Sequence, residues 1–174
     1  KYVSEETIFE KNRSLMQAAG KFNQARLHQG FHYPRSEETI CQSKSGFISY
    51  QQRFPNATKS INKNIYLIRE DGSVSIEKYL KIMQKNKIYF ENIDLKESSF
   101  KYKYDGIDYK TIQVEERYID IVKLNQNLFR EIDEMGINVS LNQEVRYVDS
   151  KEGKIEFYNG TNSQFDLIIN CSYT

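Results

Sequence analysis

The 174-residue sequence has no tryptophan, two cysteines, two prolines and no surplus of either charge, and each scarcity narrows what it can do. Cys41 and Cys171 lie far apart and form no Cys-x-x-Cys pair, which argues against a disulfide framework and a thiolate zinc site. With 25 basic and 24 acidic residues, a net charge of +1 offers no electrostatic basis for binding nucleic acid or an anionic membrane. No apolar run approaches the ~20 residues of a membrane span. The opening residues, KYVSEETIFEKN, lack the apolar centre of a signal peptide, so a cytoplasmic location is expected. No P-loop, assignable Ser-His-Asp arrangement, internal repeat or low-complexity tract occurs. His28 and His32 stand four residues apart, but Gly30 between them and Pro34 behind disfavour the helix that would aim both at one metal, and none is expected.

What the chain does have is a core-forming composition, 39% apolar and 28% charged, arranged in readable periods. TIFE (7–10) is expected to be a short buried strand ending in a carboxylate. A helix should follow Ser36 as N-cap, carry Glu37 and Glu38 in its first turn and stop before Pro55, with Cys41 as a small core residue. NIYLIRE (64–70) reads as a strand with a DG turn behind it, and SIEKYLKIMQKN as a helix capped by Ser75. From IYFENI to the stretch around Tyr102, Tyr104 and Tyr109 the pattern alternates, as antiparallel strands do. The clearest helix spans 118–135, where Tyr118, Ile121, Val122, Leu128, Phe129, Ile132 and Met135 share a face and Gly136 ends it. INVSL, EVRYVDS and KIEFYN are expected strands, and FDLIIN a buried closing strand. Strands of a buried sheet at both ends and an antiparallel sheet between them suggest a nucleotide-binding part and a substrate-facing part.

The chemistry concentrates in FNQARLHQGFHYPRS (22–36), which gathers both histidines, two arginines, three amide side chains and three aromatics around Gly30. It has neither helical nor alternating period and is expected to be an ordered loop. His32, Tyr33 and Arg35 form a candidate catalytic cluster: Arg35 suits a carboxylate or phosphate, and His32 suits proton transfer. Arg35 would equally serve by pairing with Glu37 or Glu38 at the helix start, and His28 by bonding a carbonyl in the core. Glu10, closing its strand, suits hydrogen bonding to ribose hydroxyls, although a solvated strand end would carry the same residue.

Taken in order, TIFEKN, NQARLHQGFHYPRS, the 115–145 segment and FDLIINCSYT resemble FAD-dependent oxidoreductases of the D-amino acid oxidase superfamily. The loop looks like that family's Asn-x-x-x-x-His-x-Gly stretch. The resemblance implies an α/β (mixed α+β) fold: an incomplete, Rossmann-like FAD/NAD(P)-binding layer over residues 1–60 and 115–174, with an inserted antiparallel-sheet substrate subdomain over 61–114. It implies FAD as cofactor and hydride removal from a C–H beside an amine or hydroxyl. Glu10 and Lys11 would lie at the adenosine, Val145 would meet the adenine, and Asn23, Gln24, Ala25 and Arg26 would line the pyrophosphate and flavin edge. Leu27, His28 and Gln29 would pass the flavin ring, Gly30 would permit close approach, and Asn170 and Cys171 would end the last strand near the cofactor, with Cys171 closely packed.

One departure stands out: the family's opening strand and Gly-x-Gly-x-x-Gly turn have no counterpart here, nor does its late flavin-closing segment. A fragment or degenerate member is therefore expected, with open sheet edges inviting self-association. The competing expectations are a non-catalytic module that binds a ligand or protein through residues 22–36, and a fragment inactive by itself.

Overall fold

In the computed structural model, residues 5–93 and 106–172 are described. The elements in chain order are β1 (Thr7–Glu10), α1 (Ala19–Phe22), β2 (Arg26–Leu27), α2 (Glu37–Arg53), β3 (Thr58–Ser60), β4 (Asn64–Arg69) and α3 (Ile76–Lys85). There follow β5 (Phe90–Ile93), β6 (Tyr109–Val114), β7 (Arg117–Ile119), α4 (Ile121–Glu134), β8 (Asn138–Leu141), β9 (Val145–Asp149), β10 (Lys154–Phe157) and β11 (Asn162–Gln164). The fold is mixed α/β. Packing divides it into one unit of residues 1–23 and 125–174 and a second of residues 24–124. Tyr102 and Tyr104 lie outside the described residues; Tyr109 opens β6 and is partly exposed.

In the second unit, β4, β6 and β5 form an antiparallel sheet with β6 in the middle, and β2, β7 and β3 form another. The first sheet packs its apolar face into a core of Phe31, Ile40, Ile68, Tyr79, Met83, Ile88, Ile112 and Val114. Helix α3 contributes Tyr79 and Met83, four apart on one face, and begins where the Ser75 hydroxyl accepts from the Lys78 amide. Helix α2 contributes Ile40 and Phe47; the Ser36 hydroxyl accepts from the Thr39 amide, and the helix stops at Arg53, before Pro55. Gly30 touches this helix so closely that a Cβ would stand 2.9 Å from the Cα of Ile40, and its φ of +99° is closed to side chains in any case. The close approach that Gly30 permits is therefore to α2.

In the first unit, β1 runs parallel to β8, with Glu10 opposite Leu141, and β9, β10 and β11 form an antiparallel sheet. Ile155 and Phe157 are its buried residues, and Phe9 packs its ring 4.9 Å from that of Phe157.

Three expectations change. The helix expected from 118 begins at Ile121: Tyr118 lies on β7, opposite Arg26 of β2 and Lys59 of β3. Asp120 decides the boundary, because its Oδ1 accepts from the Lys123 amide as an N-cap does. Its C-terminus is as expected, with Gly136 at φ +68° and the Ile137 amide donating to the Ile132 carbonyl. Second, FDLIIN forms no strand; Leu167 and Ile169 are each 74% exposed. An apolar run becomes a strand only where a sheet edge offers backbone partners, and β1 and β8 pair with each other alone among the described residues. Third, Cys41 and Cys171 are exposed. Cys41 is one residue, ~100° of helical turn, past Ile40 and so off the buried stripe.

Candidate functional site

The 24–124 unit holds a buried charge cluster at the junction of its two sheets. Strand alternation explains how. Ile112 and Val114 of β6 are buried, and two residues on, Glu116 keeps to the same side, with its side chain wholly inaccessible. A carboxylate there costs several kcal/mol to desolvate unless donors surround it. Three do: Arg26 donates Nε at 2.8 Å and also Nη2 to Oε2, and the Tyr66 hydroxyl donates to Oε1. Arg26 comes from β2 and Tyr66 from β4, so the ion pair ties both sheets to the loop between β6 and β7. Nη2 of Arg26 also reaches Asn64 Oδ1 at 3.2 Å.

From Tyr66 the network continues outward. Its phenol oxygen lies 2.7 Å from Nε2 of His32. Burial first, then the bond to Glu116 and that residue's charge, push the Tyr66 phenol far above its ordinary range, so it remains protonated. His32 is lowered, chiefly by burial and by the neighbouring His28, with Glu116 opposing and Arg26 adding to the fall. The rings of His28 and His32 meet edge to face, centroids 5.1 Å apart, and Tyr33 packs 5.7 Å from His28. Beneath them Phe31 is buried, its carbonyl accepting from the Tyr79 hydroxyl at 2.8 Å.

An open cavity of about 360 Å³ begins here, with His32, Arg35, Tyr66 and Arg69 among its walls. Arg69 is engaged by Asp71, whereas Arg35 has no hydrogen-bond or ion-pair partner among the described residues. The pairing of Arg35 with Glu37 or Glu38 is not formed: Glu37 takes Lys85 at 2.7 Å, and Glu38 accepts from Gln42. Two of the three expected catalytic residues thus share one cavity, while Tyr33 braces the histidines beside it.

The remaining sequence candidates are spread over both units. Glu10 ends β1; Oε1 accepts from the amide and side chain of Asn12 at 2.7 Å each, and Oε2 has no partner among the described residues. Lys11 is exposed, and Asn23 donates to the Gly20 carbonyl. Gln24 is exposed; Ala25 is held at φ +51°, its carbonyl tied to the Ile119 amide at 2.7 Å. Leu27 is half-buried in β2, and His28 accepts at Nδ1 from the Gly30 amide at 3.2 Å. Val145 opens β9 and is exposed. Asn170 forms a turn with Ser172, and neither it nor Cys171 lies on a strand. Among the described residues, no group of three or more His, Cys, Asp or Glu is arranged to hold a metal, and no helix is long and apolar enough to cross a membrane.

Glu116, Tyr66 and Asn64 escape a motif search. The signal for Glu116 was nonetheless present: a carboxylate continuing the buried period of TIQVEE must find a cationic partner.

No family model matches the sequence. Over 84 residues, 48% of this chain, it is 33% identical to the FAD-dependent monooxygenase FPY4 of Fusarium mangiferae, spanning 23% of that protein. In fold it is similar to the amino acid oxidase NikD in its open form (TM-score 0.64, 16% identity), over 90% of this chain and 42% of NikD. It is also similar to the FAD-bound L-alpha-glycerophosphate oxidase of Mycoplasma pneumoniae (TM-score 0.56, 18% identity), over 87% of this chain and 42% of that enzyme. The chain thus spans less than half the length of the proteins it matches. The mixed α/β fold implied by the resemblance is thus found, and nine-tenths of this chain follows part of the fold of the amino acid oxidase NikD.

Proposed function

We propose that these residues carry nucleotide-binding and substrate-facing portions of a flavin-dependent oxidoreductase that oxidises a C–H beside an amine or hydroxyl on an anionic small molecule. The observation that carries the reading is the cavity that joins Arg35, a cation without a partner among the described residues, to His32. Arg35 holds the substrate's carboxylate or phosphate through its two-pronged guanidinium. His32, kept neutral by its surroundings, takes the proton from the amine or hydroxyl. FAD, when bound, supplies the acceptor for the hydride.

The residues fit the adenosine end of that cofactor in one testable respect: Glu10 closes a parallel strand with one carboxylate oxygen uncommitted among the described residues, as a ribose hydroxyl requires. Lys11, Asn23, Val145, Asn170 and Cys171 in one unit, and Gln24, Ala25, Leu27, His28 and Gly30 in the other, are the further cofactor residues of this reading. The Arg26 side chain is committed to Glu116, so its part is limited to its backbone. In the same reading, the sheet of β4, β5 and β6 belongs to the substrate-facing part.

The test is to purify the longest product of the gene that encodes these residues and record its visible spectrum. Bound flavin is expected, with weaker retention in Glu10→Ala. A product that carries none and binds no added FAD overturns the reading. If it still binds small carboxylates or phosphates through Arg35, a non-catalytic binding module takes its place.

A further inference from the structure

Each hydrogen-bonding group in the chain Arg26–Glu116–Tyr66–His32 has a limited number of protons to give, and counting them assigns the last member. Glu116 is acceptor-only: Oε2 receives Nε and Nη2 of Arg26, an arrangement that demands the carboxylate form. Oε1 receives the hydroxyl of Tyr66. A phenol has one proton, and Tyr66 has spent it. Toward His32, 2.7 Å away, the phenol oxygen can then act only as acceptor, as it does toward Nη2 of Arg26 at 3.5 Å. The proton in the Tyr66–His32 contact must therefore sit on Nε2 of the imidazole.

We infer that Arg26, Glu116 and Tyr66 are positioning residues that lock His32 as its Nε2–H tautomer, so that Nδ1 is the nitrogen free to accept a proton. Its other close neighbours agree. His28 accepts at its own Nδ1 from the Gly30 amide, which puts its neutral-form proton on Nε2, and its ring meets that of His32 edge to face. Arg26 supplies the cation on the Tyr66 side and Glu116 the anion. Tyr33, 6.3 Å away, contributes a ring face rather than a charge. A buried carboxylate thus orients an imidazole through an intervening phenol, and the side chain that must receive a substrate proton presents one defined nitrogen. The role as base rests on the function proposed above; the tautomer does not, and it can be read with no flavin present.

The chain has two histidines, so a sample labelled with ¹⁵N at histidine yields two imidazole patterns, which a His28→Gln variant assigns. For His32 the expected pattern is a pyrrole-type Nε2 bearing a proton slow to exchange with water, and a pyridine-type Nδ1. In Tyr66→Phe, which keeps the ring stacked near Phe31, that proton should exchange about fivefold faster or more, the factor one net hydrogen bond is worth. A wild-type His32 protonated at Nδ1, or showing no protected Nε2 proton, overturns the inference. That spectrum decides by itself should Tyr66→Phe fail to fold. Failure of the flavin test would leave the imidazole pattern unchanged, so the two proposals fall separately.

Discussion

Replacing Arg26 by methionine tests the central physical claim, that Glu116 is tolerated in the interior only because donors surround it. Methionine retains much of the arginine stem's apolar bulk and removes two of the three donors recorded on Glu116: Nε and Nη2 of Arg26 go, and the Tyr66 hydroxyl stays. Stripping the partner from a buried ion typically costs 3–5 kcal/mol. The Arg26 side chain is 30% exposed, so water can approach from its side, and the lower end of that range, about 3 kcal/mol, is expected. Because the chain packs as two units, global melting is not a two-state measure, and tryptophan is absent as a local probe. Amide hydrogen exchange on β6, above all at Ile112, reads the 24–124 unit directly. The double variant Arg26→Met with Glu116→Gln should recover a good part of the loss, because no unpaired charge remains. A single-variant cost below about 1 kcal/mol, or a double variant as damaged as the sum of its parts, would refute the reasoning.

The other predictions concern the loop around the cavity. Gly30→Ala should destabilise the 24–124 unit by about 2 kcal/mol or more, by the same exchange measurement, since both φ +99° and the 2.9 Å approach to Ile40 oppose a Cβ. His32 should titrate below the ordinary histidine value near ~6.5, seen in its ring-proton shifts; a midpoint at or above that value contradicts the account. The fold prefers neutral His32, so its contribution to stability is present above the unfolded value and is lost as pH falls through the folded one. Arg35→Gln should leave stability within about 0.5 kcal/mol, there being no partner to lose among the described residues, while weakening binding of small carboxylates or phosphates in a calorimetric titration. Unchanged anion affinity would remove Arg35 from the candidate site.

What the sequence announces here is whatever depends on neighbours along the chain. Ser36 and Ser75 cap helices because a hydroxyl three residues before an amide needs nothing distant. Gly136 ends α4 for the same local reason. Asp120 was equally local, yet Tyr118 extended the apolar stripe of α4 by one turn and concealed it; the strand partners that claim Tyr118, Arg26 and Lys59, are 92 and 59 residues away. FDLIIN failed for want of a partner: strand-like composition creates a demand for hydrogen bonds, and only a particular sheet edge can meet it. The candidate site divides along the same line. His32 and Arg35 stand three residues apart in a loop whose polarity is visible by inspection, and the cavity does gather them. Glu116 and Tyr66, 50 residues apart, are brought together by the pairing of β4 with β6, which sets Asn64 opposite Val114. A carboxylate that continues the buried side of a strand is therefore worth treating as a request for a distant partner. Here the request is met by Arg26, on strand β2 within the very stretch whose crowded polarity first marked it.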